Sequence, residues 1–191
     1  MGEAKRRRAE FDAWLSTLSG DEHKVFEVSY TAFDKIIIAL KMTSGCYLIS
    51  FFLAEYLRSN YGIAVNPVVG HVTDESDDLP ISHAWVEFGG KIIDLTLFYT
   101  ETQPRGPLII LNRVIKRGEI FYQYHHEMTM ASRSSLVELL HTRPDAKTMI
   151  DHKDAEHAKV LAANTSSESR MAFLLDAPVD RNFEALSARL D

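Results

Sequence analysis

The sequence predicts an α+β domain in which an antiparallel sheet packs against helices. Three observations carry that reading. Residues 46–60 place Ile49, Phe52, Leu53, Tyr56 and Leu57 on one helical stripe, with Glu55, Arg58 and Ser59 opposite. Gly89-Gly90 separates two β-rich runs, Ser82–Phe88 and Lys91–Leu97, which is a strong two-residue hairpin signal. Helical periodicity then flanks this centre on both sides.

In chain order, residues 9–18 put Phe11, Trp14, Leu15 and Leu18 on one helical face, and Gly20 ends the run. Residues 25–41 are read as a second helix, against a competing β signal from Ile36-Ile37-Ile38. Thr43-Ser44-Gly45 punctuates the chain before the 46–60 helix, for which Gly62 is the expected C-terminal cap. Ile63–Val72 is rich in β-branched residues and reads as a strand, with Pro67 marking an edge or irregularity. Asp74–Pro80 is an acidic loop and the candidate movable element. A strand or strand pair follows at 107–124, and 130–163 is helical in two pieces broken near Pro144. The expected organisation is one domain over 1–163 with its core at 43–124, then a polar linker at 164–169 and a short tail to 191.

Bulk composition excludes several classes. The 191 residues carry 27 acidic and 21 basic side chains, a formal net charge of −6, which argues against a general nucleic-acid binder. The one dense basic run, Lys5-Arg6-Arg7-Arg8, lies between Glu3 and Glu10 and reads as a solvated arm. No apolar stretch approaches the roughly 18–20 residues that span a bilayer. The basic run lacks a following apolar segment, so no secretory leader is expected, and Arg6 breaks an acylation motif at Met1-Gly2. A single cysteine excludes an internal disulfide framework and a multi-cysteine metal site, which suits a reducing cytoplasm.

That lone thiol is then either core filler or a reagent. Cys46 falls in the first turn of its helix, where unpaired N–H groups and the positive end of the macrodipole favour an anion. A thiolate is such an anion, and the same N–H groups suit the oxyanion of a tetrahedral intermediate. A two-residue turn at Gly89-Gly90 pairs Phe88 with Lys91 and Glu87 with Ile92. Alternation then puts His83, Trp85 and Glu87 on one face, with Asp94 on that face diagonal to His83 at about 7 Å between Cβ atoms. An imidazole base oriented by a carboxylate fits those residue types. A three-residue turn would send Asp94 to the opposite face.

Gly45-Cys46 opening an apolar helix, then Ser82-His83-Ala84-Trp85-Val86-Glu87, then Ile92-Ile93-Asp94-Leu95-Thr96, resemble the core of the transglutaminase-like branch of the papain-like cysteine enzymes. The resemblance covers residues 43–97. It implies Cys46 as nucleophile, His83 as base and Asp94 as its orienter. It also implies a papain-like fold with the nucleophile at a helix N-terminus, and thiol-dependent acyl transfer. The expected activity is hydrolysis of a peptide or acylamide by a peptidase or amidase, with no cofactor or metal. Relatives often use an upstream glutamine, tyrosine or tryptophan at the oxyanion; no glutamine precedes Gln103, and Tyr30 is the aromatic put forward for that role. Crosslinking is not implied, because the calcium-dependent enzymes are far larger.

Each residue also has a plainer reading. Alone, Cys46 would be a buried small hydrophobe, His83 a satisfied sheet histidine and Asp94 a strand end; their order and parity together favour the site. His71 is a candidate substrate contact, though a sheet histidine is the commoner case. Trp85 is taken as a wall of the cleft, with core packing almost as good a reading. His125-His126-Glu127 lacks the spacing of a zinc motif, and His152 and His157, five apart, read as a solvated helix face. Two rivals remain: a non-catalytic peptide-binding or scaffold module that retains the core, and an acyltransferase of the arylamine-acetyltransferase kind.

Overall fold

A computed structural model describes residues 2–75, 77–100 and 104–190. Ser76, in the expected acidic loop, and Gln103 lie outside the described residues. The protein is α+β, with a small antiparallel sheet and seven α-helices among the described residues.

Helix α1 (Glu3–Leu15) buries no residue fully and is tethered by Trp14, which packs edge-on against Phe26 with centroids 5.4 Å apart. Helix α2 (Gly20–Ala32) starts at a capping box, Ser19 with Glu22, which satisfies two otherwise orphaned N–H groups. It runs into a π-helical turn, Phe33–Ile38, where the helix widens and buries Phe33, Ile36 and Ile37. The competing β signal of the isoleucine run is thus overridden by burial against the core.

Helix α3 (Cys46–Tyr61) is the centre of the molecule. Phe51, Phe52, Leu53 and Leu57 are essentially inaccessible, each contributing about 1.5–3 kcal/mol by burial. They meet Ala84, Val86 and Ile93 from the sheet in one apolar cluster. The sheet comprises β1 (Asn66–Asp74), β2 (Asp77–Phe88), β3 (Lys91–Ile93) and β6 (Tyr122–His125), in the order β3-β2-β1-β6. Most of the expected acidic loop is therefore the tip and first residues of a long β1–β2 hairpin. Gly89 and Gly90 form the expected two-residue turn at φ 56° and 73°, a conformation that suits glycine. Phe88 pairs with Lys91, Glu87 with Ile92 and Val86 with Ile93.

After Ile93 the chain leaves β2. Asp94 instead exchanges backbone hydrogen bonds with Ile109 in a second hairpin, β4 (Leu108–Ile110) and β5 (Arg113–Lys116). The two helices expected at 130–163 are α4 (Met130–Thr142) and α5 (Lys147–Ala163), joined by a 3-10 turn at Pro144–Ala146.

The segment 164–191 differs from its expected form. It carries α6 (Ser167–Leu175) and α7 (Phe183–Ser187), whose Leu174 and Leu186 are fully buried in the main core. Phe173 packs on Phe51, and Phe183 on Phe52. Polar composition suggested a linker, but the serines serve as helix cap and as partner to a buried charge. Ser166 caps α6, and Ser167 donates to Glu55 at 2.7 Å. Glu55, fully buried on α3, also accepts from Arg170 Nε at 2.8 Å and from Arg58. Among the described residues no helix is long and apolar enough to cross a membrane.

Candidate active site

Cys46 is the first residue of α3, preceded by Ser44 at φ 56° and by Gly45 as N-cap. Gly45 has no side chain to accept a hydrogen bond, so the first-turn N–H groups have no side-chain cap. The position is packed tight: a Cβ on Gly45 would lie 2.7 Å from the Met42 sulfur. The thiol is half-buried and lines a cavity of about 610 Å³.

His83 stands on β2, 4% exposed, and lines the same cavity as Cys46, close enough for the thiol to act on the ring's charge. Its Nε2 is 2.7 Å from Asp94 Oδ2, so the ring nitrogen left for the sulfur is Nδ1. Asp94, 1% exposed, is held on every side. Tyr124 donates to Oδ2 at 2.9 Å, while the Thr96 N–H and hydroxyl donate to Oδ1 at 3.0 and 3.2 Å. The bridge to Ile109 fixes its backbone.

The electrostatics follow from that geometry. Burial disfavours a charge on His83, but the adjacent Asp94 carboxylate, its hydrogen bond and the Cys46 contact outweigh it and raise the imidazole to about 10. Burial likewise opposes the Asp94 charge, and His83, Thr96 and Tyr124 overcome it to hold the carboxyl below its usual range. Burial and the facing Asp94 push the Tyr124 hydroxyl up, so it stays a donor.

A second polar chain runs from the lining residues Tyr47 and Ser82 to His157 on α5. Tyr47 Oη and Ser82 Oγ are 2.6 Å apart, and Ser82 Oγ is 2.5 Å from His157 Nδ1. The His157 ring stacks on His71 with centroids 4.6 Å apart. Burial lowers both histidines, and for His71 the neighbouring His157 adds to that. Burial pushes the Tyr47 hydroxyl up to about 12.

The structure thus brings Cys46, His83 and Asp94 together, and His71 lines the cavity beside them. Trp85 does not. It lies behind His83, rings nearly parallel at 6.4 Å, and is capped edge-on by Tyr124 at 5.2 Å. The Tyr124 and His126 rings, both edge-on to the indole, seal it at 1% exposure, so Trp85 is core rather than cleft wall. Gly70 makes room for it, since a Cβ there would lie 2.8 Å from the indole ring.

Tyr30 is likewise remote from the cavity lining. Val25, Val28 and Ser29 take the inner face of α2, so Tyr30 points outward, 41% exposed and stacked on Phe26. His157, expected on a solvated face, is half-buried against Ser82 and His71 because α5 docks along β1 and β2. Sequence reasoning also missed Tyr124, Tyr47 and Ser82. Ser82 and Tyr47 had a local signal, their places beside His83 and Cys46; Tyr124 had none.

His125 meets Thr73 and His126 meets Glu87. Among the described residues no group of three or more His, Cys, Asp or Glu side chains is arranged to hold a metal ion. In comparisons with protein-family models, curated proteins and solved structures, nothing matches the chain.

Proposed function

We propose that the protein is a thiol-dependent acyl-transfer enzyme, a peptidase or amidase in its main activity, working through a thioester on Cys46. One observation carries the reading. A thiol at an uncapped helix N-terminus shares one cavity lining with an imidazole whose Nε2 is gripped by a buried carboxylate. The order of helix, strand and turn around these residues supports kinship with the transglutaminase-like and papain-like enzymes.

The proton shared by the pair rests on His83, as its raised imidazole requires, and the sulfur attacks the substrate carbonyl carbon. Negative charge on the carbonyl oxygen meets the N–H groups of the first turn of α3. The tetrahedral species collapses, the carbon–nitrogen bond breaks, and His83 returns its proton to the departing amine. Water, deprotonated by His83, then attacks the thioester, releasing the acid and restoring the thiol. Asp94 holds the ring orientation and balances the imidazolium throughout.

The test is acylation and alkylation of Cys46. Wild-type protein incubated with activated esters should show the acyl adduct on Cys46 by intact mass, and His83→Ala should not. Iodoacetamide should modify folded Cys46 at least tenfold faster than the same cysteine in the unfolded chain. A folded thiol that alkylates no faster and carries no adduct would sink the proposal and promote the non-catalytic peptide-binding module.

A further inference from the structure

We infer that the cavity at Cys46 is a binding site for an apolar acyl group, and that α4 and α5 are its specificity wall; the inference rests on the thioester reading. Leu79 and Ile81 on β2, Leu136 and Leu139 on α4, and Met149 and Ile150 at the start of α5 line the cavity. None of the six belongs to the buried core, and Met149 is 59% exposed. Ser132 is the one buried residue of α4, and Val160 the one of α5. Apolar side chains of these helices therefore face space where a core would otherwise be. An apolar ligand group supplies the burial they lack.

The cavity has direction. His157 touches Ser82, next to His83, and Ile150 lies two helical turns earlier, about 10 Å along α5 at 1.5 Å per residue. The apolar end is thus set back from the thiol by roughly that length. Lys153 and Asp154, also in the lining, are exposed, and Lys153 pairs with Glu156 at 2.9 Å, which assigns the charges to the solvent rim. In the thioester intermediate the acyl part remains on Cys46 while the amine or alcohol leaves and water enters. The distal apolar end suits the part that stays, and the charged rim the part that departs. A linear fatty acyl chain and a bulky apolar aminoacyl residue share this chemistry.

The experiment compares 4-nitrophenyl esters from acetate to decanoate, with N-acetyl-leucine and N-acetyl-phenylalanine esters as a second arm. Over the first several methylenes kcat/KM should rise about fourfold for each group buried. Met149→Asp and Ile150→Asp should flatten that series to under twofold per methylene, so that the longer esters lose far more than the acetyl ester. Leucyl or phenylalanyl esters that outrun a linear chain of similar size would identify the acyl group as an amino acid residue. A separate calorimetric titration of Cys46→Ala with N-octanoyl- and N-acetylglycinamide reads the site without chemistry, and the octanoyl amide should bind at least tenfold tighter. Chain-length preference in that titration without any Cys46 adduct would uphold the acyl site and overturn the thioester reading. Equal binding of the two amides, or equal losses for acetyl and octanoyl esters in both variants, would overturn the acyl site itself.

Discussion

Asp94→Asn is the sharpest probe of the buried pair, because it keeps the shape and removes the charge. Both oxygens are engaged: Oδ2 accepts from His83 and Tyr124, and Oδ1 accepts twice from Thr96. An amide offers one acceptor oxygen, so its NH2 must face either the Thr96 donors or the His83 side. Either choice strands a buried donor, and the His83 imidazolium loses its counter-charge. Breaking a buried ion pair from one side costs about 3–5 kcal/mol. For a chain of this size that corresponds to a Tm lower by roughly 6–20 °C.

The pH dependence has a definite sign. His83 is raised from 6.5 to about 10 in the fold, so its contribution is complete below its unfolded value and fades as pH rises through the raised one. Asp94 is lowered from 3.8, so its contribution is complete above that value and is lost as pH falls through the lowered one. The stability gap between wild type and Asp94→Asn should therefore be widest between pH 3.8 and 6.5, narrowing on both sides. Urea titrations at pH 5, 7 and 10 measure it directly. Acylation of Cys46 should fall by about 10⁴ as His83 loses its orienting carboxylate and counter-charge, by analogy with the serine-protease aspartate. A gap under 1 kcal/mol at pH 5, or one that grows toward pH 10, would refute the buried-pair reasoning.

Tyr124→Phe removes one donor to Asp94 and should cost about 1.5–3 kcal/mol in urea unfolding, with a smaller loss of Cys46 acylation than Asp94→Asn. Gly70→Ala would set a Cβ 2.5 Å from the His125 carbonyl and 2.8 Å from Trp85, so a loss of about 1–3 kcal/mol and altered tryptophan fluorescence are expected. Glu55→Ala strands Arg170, 15% exposed, and should cost about 3–5 kcal/mol; hydrogen exchange over 164–190 should rise well before that of β1 and β2.

The histidine–aspartate geometry was legible because it is local. A glycine-glycine turn sets the parity of the strands that follow, and eleven residues leave little freedom between His83 and Asp94. Periodicity marked α3 in the same way, with Cys46 at its start. Register with distant strands left no such trace. Tyr124 reaches Asp94 across 30 residues only because β6 pairs with β1, and His157 reaches Ser82 across 75 because α5 docks on the sheet. Nothing near Tyr124 or His157 in the chain announces either contact.

The same distinction separates Trp85 from His83. Alternation puts both on one face, but only the Tyr124 and His126 rings decide that the indole is sealed while the imidazole reaches the cavity. At the C-terminus, local polarity suggested a linker, whereas Ser167 and Arg170 are polar because a buried carboxylate needs them. Sequence by itself determined the α+β class, the helix that presents the thiol and the strand parity of its partners, all set by short-range periodicity and turn chemistry. Tertiary structure alone decided which groups hold Asp94, what lines the cavity and how the last helices attach. Those contacts depend on how distant segments share one buried volume.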